Sequence, residues 1–288
     1  MNHNLESIAQ CIEAGVDRLF AMPTSEWPED VKIDTRHLGP RVTEQQKTKL
    51  RLSHGLNCGR RQWYVHNEPE KSVPPNALVN LKSFSPGDLW EAYAHPLLPH
   101  CMPNGWTYYD AGDLELEVVE LFGHLDGLMI HEDGSVIVTD SKFTSDYVIK
   151  KWERGMPDGT FGYLAQATNY MFGVENLIND INEGREHPNL ALDVTQRTNQ
   201  CNALKALPKN GKVIGFMWTC MVQQPFGKPW FAKVGHARRD DRELASMGKQ
   251  TLRQYHDART QTKPPCRWGN KPCCRFCSFE QHCNSDAR

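Results

Sequence analysis

No long hydrophobic run occurs in this sequence. Nowhere do its 288 residues approach 18 consecutive apolar side chains, so no membrane-spanning helix is expected. A secretory leader is missing too: Met1-Asn2-His3-Asn4-Leu5-Glu6 offers no basic segment followed by an apolar stretch, and the expected location is the cytoplasm. There is no internal repeat and no long linker. Glycine (21) and proline (18) are near their average shares, which excludes fibrous and low-complexity architectures. Neither charge dominates: 33 Lys and Arg stand against 35 Asp and Glu, a net charge of −2 that does not by itself suggest a nucleic-acid binder.

The chain is rich enough in apolar residues (39%, with 8 Trp, 8 Tyr and 11 Phe) to bury a sizeable core, and its length suits one large domain or two small ones. Its charge is unevenly spread. From Lys228 to Arg288 there are 13 basic and 6 acidic residues, a local excess pointing mildly to an anionic partner. Ten cysteines are present, five of them in the last 23 residues. With no export signal, such close spacing reads as metal or cluster ligation rather than disulfides.

Apolar periodicity predicts a helix over 5–22, a second from Thr43 to about His54, and a third starting at Ser85-Pro86-Gly87-Asp88. Alternation predicts strands over 114–122, 124–131 and 135–140, with Asp133-Gly134 as the turn of a hairpin. Helices over about 145–155 and 162–183, strands over 213–222 and 230–234, and a polar helix over about 239–259 complete the pattern. The expectation is an α/β protein with a mixed central sheet flanked by helices.

The informative segments are Gly123-His124-Leu125-Asp126-Gly127 and Asp140-Ser141-Lys142, on adjacent strands of one hairpin. Side chains two apart on a strand share a face, so Asp140 and Lys142 point the same way and the partner strand can set Asp126 opposite them. Two carboxylates and an ammonium on one side of a sheet suit phosphodiester hydrolysis. A hard divalent cation such as Mg²⁺ or Mn²⁺ relieves the repulsion between the carboxylates and activates water, while the lysine stabilises developing charge.

These segments resemble motifs II and III of the PD-(D/E)xK nucleases, most closely the RecB-type exonucleases, including the CRISPR-associated iron–sulfur nucleases and small phage relatives. Gln166-Ala167-Thr168-Asn169-Tyr170 is similar to the family's Gln-apolar-x-x-Tyr signature. The resemblance implies that Gln166 and Tyr170, one turn apart on a helix, hold substrate or order the site. Gly87-Asp88-Leu89-Trp90-Glu91 resembles motif I, with Glu91 as a metal ligand and Asp88, His95 and Glu120 as alternates. The resemblance thus implies a restriction-endonuclease-like fold. It gives Glu91, Asp126 and Asp140, with the Ser141 carbonyl, as Mg²⁺ or Mn²⁺ ligands, and Lys142 as the catalytic lysine. The aspartate at 140 stands where many members have glutamate.

Cys274-x2-Cys277-x5-Cys283 supplies three thiolates, with Cys273 and Cys266 competing for the place of Cys274. Cys58, in Cys58-Gly59-Arg60, resembles the family's cysteine ahead of the nuclease core. One cysteine before the core and three after it match the iron–sulfur members, so the resemblance implies a structural [4Fe–4S] cluster clasping the N-terminal helices to the C-terminal tail, with a four-cysteine zinc site as the alternative. Cys11, Cys101, Cys201 and Cys220 are expected as small buried apolar residues.

The chain accordingly divides into an N-terminal helical region (1–84), a nuclease core (85–260) and a Cys-rich tail (261–288). The expected activity is that of a metal-dependent DNA exonuclease acting on single-stranded or end-bearing DNA, in the host cytoplasm if phage-encoded, with a recombination or replication protein as a further partner. Arg60, Arg61, Lys150, Lys151 and Arg154 are candidate phosphate contacts, and Trp63 and Trp152 candidate stacking residues. The rival reading is a non-catalytic protein that binds DNA ends or a partner, on the same fold with a zinc site.

Overall fold

The computed structural model describes residues 3–32, 58–72, 85–118, 121–153, 162–185, 198–224, 228, 230–265, 277 and 279–285. Five strands form one sheet in the order β1 (Trp106–Val118), β2 (Leu121–His131), β3 (Ser135–Ser145), β4 (Lys212–Gln223) and β5 (Phe231–Arg238). β3 and β4 run parallel, and the other neighbours are antiparallel. A parallel pair needs a crossover, and the segment joining β3 to β4 contains helices α4 (Asp146–Glu153), α5 (Tyr163–Asn182) and α6 (Thr198–Ala206). The fold is mixed α/β, a curled mixed sheet flanked by helices, as the alternating pattern implied. No helix among the described residues is long and apolar enough to cross a membrane.

Helix α1 (Leu5–Ala21) begins where the Asn4 side chain accepts the backbone N–H groups of Glu6 and Ser7. Its buried stripe of Leu5, Ile8, Ile12, Val16 and Leu19 lies on β5. Cys11 falls off that stripe and is exposed, whereas Cys101, Cys201 and Cys220 are buried as expected. Helix α3 (Ser85–Leu97) covers the same face of the sheet over β3, between α2 (Gly59–Asn67) and β1 in the chain. On the opposite face lie α5, α6 and α7 (Arg242–Thr260), and α2 packs on α7. The expected helix from Thr43 to His54 lies outside the described residues.

β3 divides its side chains between two apolar cores. Val136 and Val138 enter the core under α5, and Ile137 the core under α1 and α3. The same alternation carries Asp140 and Lys142 to the α5 side. Two strand boundaries differ from the sequence reading. The strand expected over 114–122 is really the end of β1 and the start of β2. β1 starts at Trp106, and its register shifts between Asp110 and Leu114, where Gly112 adopts a positive φ of 56°. That irregularity breaks the alternation and hides the first half of the strand.

Candidate active site

The β2–β3 ladder ends at the pair Gly127 and Thr139. Asp126 and Asp140 are the next residues outward, so the register sets them opposite each other where the strands fork. The Ser141 backbone N–H donates to Asp126 Oδ2 at 2.8 Å, across the gap that the lost ladder leaves. Lys142 Nζ meets Asp140 Oδ2 at 2.5 Å, a close ion pair. From α5, Gln166 Nε2 donates to Asp140 Oδ1 at 3.0 Å. Tyr170, one turn further along, is 4% exposed. The Lys142 ammonium also lies 5.9 Å from the ring centre of Tyr163.

Helix α3 is pinned at two points. The Trp90 indole N–H donates to the Thr219 carbonyl at 2.9 Å, and His95 Nδ1 lies 2.8 Å from the Tyr108 hydroxyl. Glu91 sits between these anchors, and its negative charge is felt at both Asp126 and Tyr108. His95, an alternate ligand in the sequence reading, is buried in a polar group with Tyr108 and Asp110, whose Oδ1 is 3.7 Å away. This group escaped sequence reasoning because Tyr108 and Asp110 precede the irregularity in β1. The one signal available was the Tyr-Tyr-Asp run itself.

The electrostatics follow from burial and crowding. Desolvation, then the charges of Asp140 and Glu91, hold the Asp126 carboxyl well above the usual carboxylate range, against the pull of Lys142 and the Ser141 N–H. Burial likewise raises Asp140, opposed by Lys142 and Gln166. Burial also works against the Lys142 charge, but Asp140 and Asp126 more than offset it, and the amine stays protonated beyond the normal lysine range. Desolvation, with help from Asp140 and Asp126, raises Tyr170. Asp126 and Asp140 thus share one ammonium, with the Glu91 charge felt at Asp126, and this all-oxygen acidic set is the kind that a hard divalent cation satisfies.

The cysteine expectation falls partly outside the described residues: Cys274, Cys273 and Cys266 are not described. Cys58 precedes α2, while Cys277 and Cys283 are half-buried against the main core. The segments bearing them are joined by side chains. Tyr64 stacks on Phe279 with ring centres 5.5 Å apart and meets the His282 ring edge-on at 5.0 Å. The Trp63 indole donates to the Gln261 carbonyl at 2.8 Å, and Arg60 to the Pro265 carbonyl at 3.1 Å.

That junction also corrects two expectations. Arg60 and Trp63 are buried within it, so they do not present a phosphate contact or a stacking face. Both fall on the inward side of α2, which the short helix's weak periodicity concealed. Arg61 is half-buried; Lys150 is exposed and pairs with Asp146, and Lys151 lies 4.6 Å from the Tyr147 ring centre. Arg154 and the Trp152 side chain lie outside the described residues. Among the described residues, the group of three His, Cys, Asp or Glu side chains that gathers ligand atoms within 4.8 Å of one another lies elsewhere, at His3, His131 and Asp133. Comparisons with protein-family models, with curated proteins and with solved structures found no match.

Proposed function

We propose that this chain is a metal-dependent DNA nuclease of the PD-(D/E)xK type, an exonuclease on a restriction-endonuclease-like fold, with a structural iron–sulfur cluster. The observation that carries the reading is the fork, where Asp126, Asp140 and Lys142 share one pocket with Gln166. In this reading Glu91, Asp126, Asp140 and the Ser141 carbonyl hold Mg²⁺ or Mn²⁺, which supplies Lewis-acid activation of water and phosphate. Lys142, kept cationic by its two aspartates, stabilises charge developing on the phosphoryl oxygens. Gln166 fixes the Asp140 carboxylate through one oxygen, and Tyr170 packs behind it. Cys58, Cys274, Cys277 and Cys283 are the proposed cluster ligands.

A substrate with unpaired bases is supported by two exposed aromatics at the same end of the sheet. Tyr147 opens α4 just after β3, and Trp230, just before β5, meets Phe143 edge-on at 5.0 Å. Aromatic faces of this kind stack on bases without regard to sequence. The test is digestion of labelled single- and double-stranded DNA, with blocked and free ends, in Mg²⁺ and in Mn²⁺. The expected result is metal-dependent loss of label from free ends, abolished by Lys142→Ala. Binding without cutting, or cutting that Lys142→Ala leaves unchanged, overturns the proposal.

A further inference from the structure

At the other end of the β2–β3 hairpin from the fork, one carboxylate faces two imidazoles. His3 Nε2 lies 2.9 Å from Asp133 Oδ2, and His131 Nδ1 lies 2.9 Å from Asp133 Oδ1. The two rings are themselves 4.4 Å apart between centres. The Asp133 backbone N–H also donates to His131 Nδ1, at 3.2 Å. The three facing atoms all lie within 4.8 Å of one another. Each contact to the carboxylate can be made either by an N–H of the facing imidazole or by a divalent ion shared among the three groups.

The surroundings hold the three groups in place. The Trp106 ring packs against both imidazoles, 5.1 Å from His3 and 5.0 Å from His131. His131 Nε2 lies close to the Gly105 backbone, where a side chain's β-carbon would fall 2.6 Å from it, and Gly105 itself has a φ of 80°. Nδ1 is the nitrogen that His131 turns to Asp133. The Asp133 carboxylate is oriented in turn, since its Oδ1 accepts the Ser135 N–H at 2.9 Å. A cavity of about 340 Å³, lined in part by His3, Asp133, Ser135, Lys212 and Arg238, gives an ion a route in.

We infer that His3, His131 and Asp133 form a binding site for one divalent transition-metal ion. Two imidazole nitrogens and a carboxylate oxygen match Zn²⁺ and its neighbours rather than Mg²⁺ or Ca²⁺, and three protein ligands leave a position open toward the cavity. On binding, each facing nitrogen gives its lone pair to the ion, and a proton held there moves to the other ring nitrogen or to solvent. The site joins the segment ahead of α1 to the β2–β3 turn, 130 positions away in sequence, so its occupancy stabilises the folded chain by linkage.

The test uses Co²⁺ as a spectroscopic probe, then Zn²⁺, on the full chain. Wild type is compared with His3→Ala and His131→Ala, each also in an Asp126→Asn background to silence the fork. The expected result is one Co²⁺ bound by wild type beyond what either histidine variant binds. This ion gives a visible ligand-field band with no thiolate charge-transfer band, and Zn²⁺ displaces it. Zn²⁺ should also raise the melting temperature of wild type by several degrees more than that of His3→Ala. His3 lies outside every helix and strand, so its loss leaves the fold intact and keeps the comparison valid. Equal Co²⁺ stoichiometry and spectra in wild type and both variants would show that the contacts hold protons only, and would overturn the assignment.

Discussion

Gln166 donates to Asp140 across 3.0 Å, from a helix to a strand residue 26 positions earlier. One oxygen of the Asp140 carboxylate is thereby fixed by an amide, while the other meets the Lys142 ammonium. The carboxylate is held in one orientation by two different elements, and this arrangement gives the fork a fixed geometry rather than a loose cluster of charge.

Lys142→Met should lower Mn²⁺-dependent cleavage of labelled DNA by roughly 100-fold or more, the typical effect of removing a group that stabilises transition-state charge. Circular dichroism should report an unchanged fold. Cleavage at the wild-type rate would remove Lys142 from the proposed chemistry.

The fork should make metal-free stability depend on pH. Asp126 holds its proton more tightly folded than unfolded, so in the interval above the usual carboxylate range the folded state binds more protons and loses stability as pH rises. Lys142, also raised, gives its contribution throughout this interval and loses it only in strongly basic solution. Melting temperatures taken with a chelator from about pH 4 to about pH 8 should therefore fall less steeply in Asp126→Asn than in wild type. A steeper fall in the variant would contradict the assigned environment.

Gly127→Ala should damage the fork. The new methyl would overlap the Tyr108 hydroxyl and lie 2.7 Å from Thr139 Oγ1, in a region closed by the strand ladder. The expected cost is about 1–3 kcal/mol, read from denaturant unfolding, together with reduced cleavage. Wild-type stability would mean that Tyr108 moves aside freely.

The junction of α2 with the tail offers another test. Tyr64 is fully buried against Phe279 and His282, and Tyr64→Ala should cost about 3–5 kcal/mol. Cys277→Ala should instead abolish the broad visible absorbance expected of anaerobically purified protein. An unaltered iron content in that variant would exclude Cys277 as a ligand.

Local pattern foretold much of this molecule. The stripe from Leu5 to Leu19 specified α1, and the Asp133-Gly134 turn specified the hairpin. Alternation through Val136, Val138, Asp140 and Lys142 specified which β3 residues share a face. These are consequences of helix and strand periods, which each segment carries within itself. The start of β1 at Trp106 was hidden by the irregularity at Gly112, and the burial of Arg60 and Trp63 by the short span of α2.

What the amino-acid order determined was the set of elements and the chemical types placed on them, because propensity and side-chain period act over a few residues. Tertiary structure alone decided that the ladder ends at Gly127 and Thr139 and so opens the fork, and that Glu91 is held beside it by Trp90 and His95. It also decided that Tyr64 closes on Phe279, and that His3 meets Asp133. Each of these joins positions remote in sequence, and such contacts are set by how the two cores fill and how the sheet curls, which no single segment encodes.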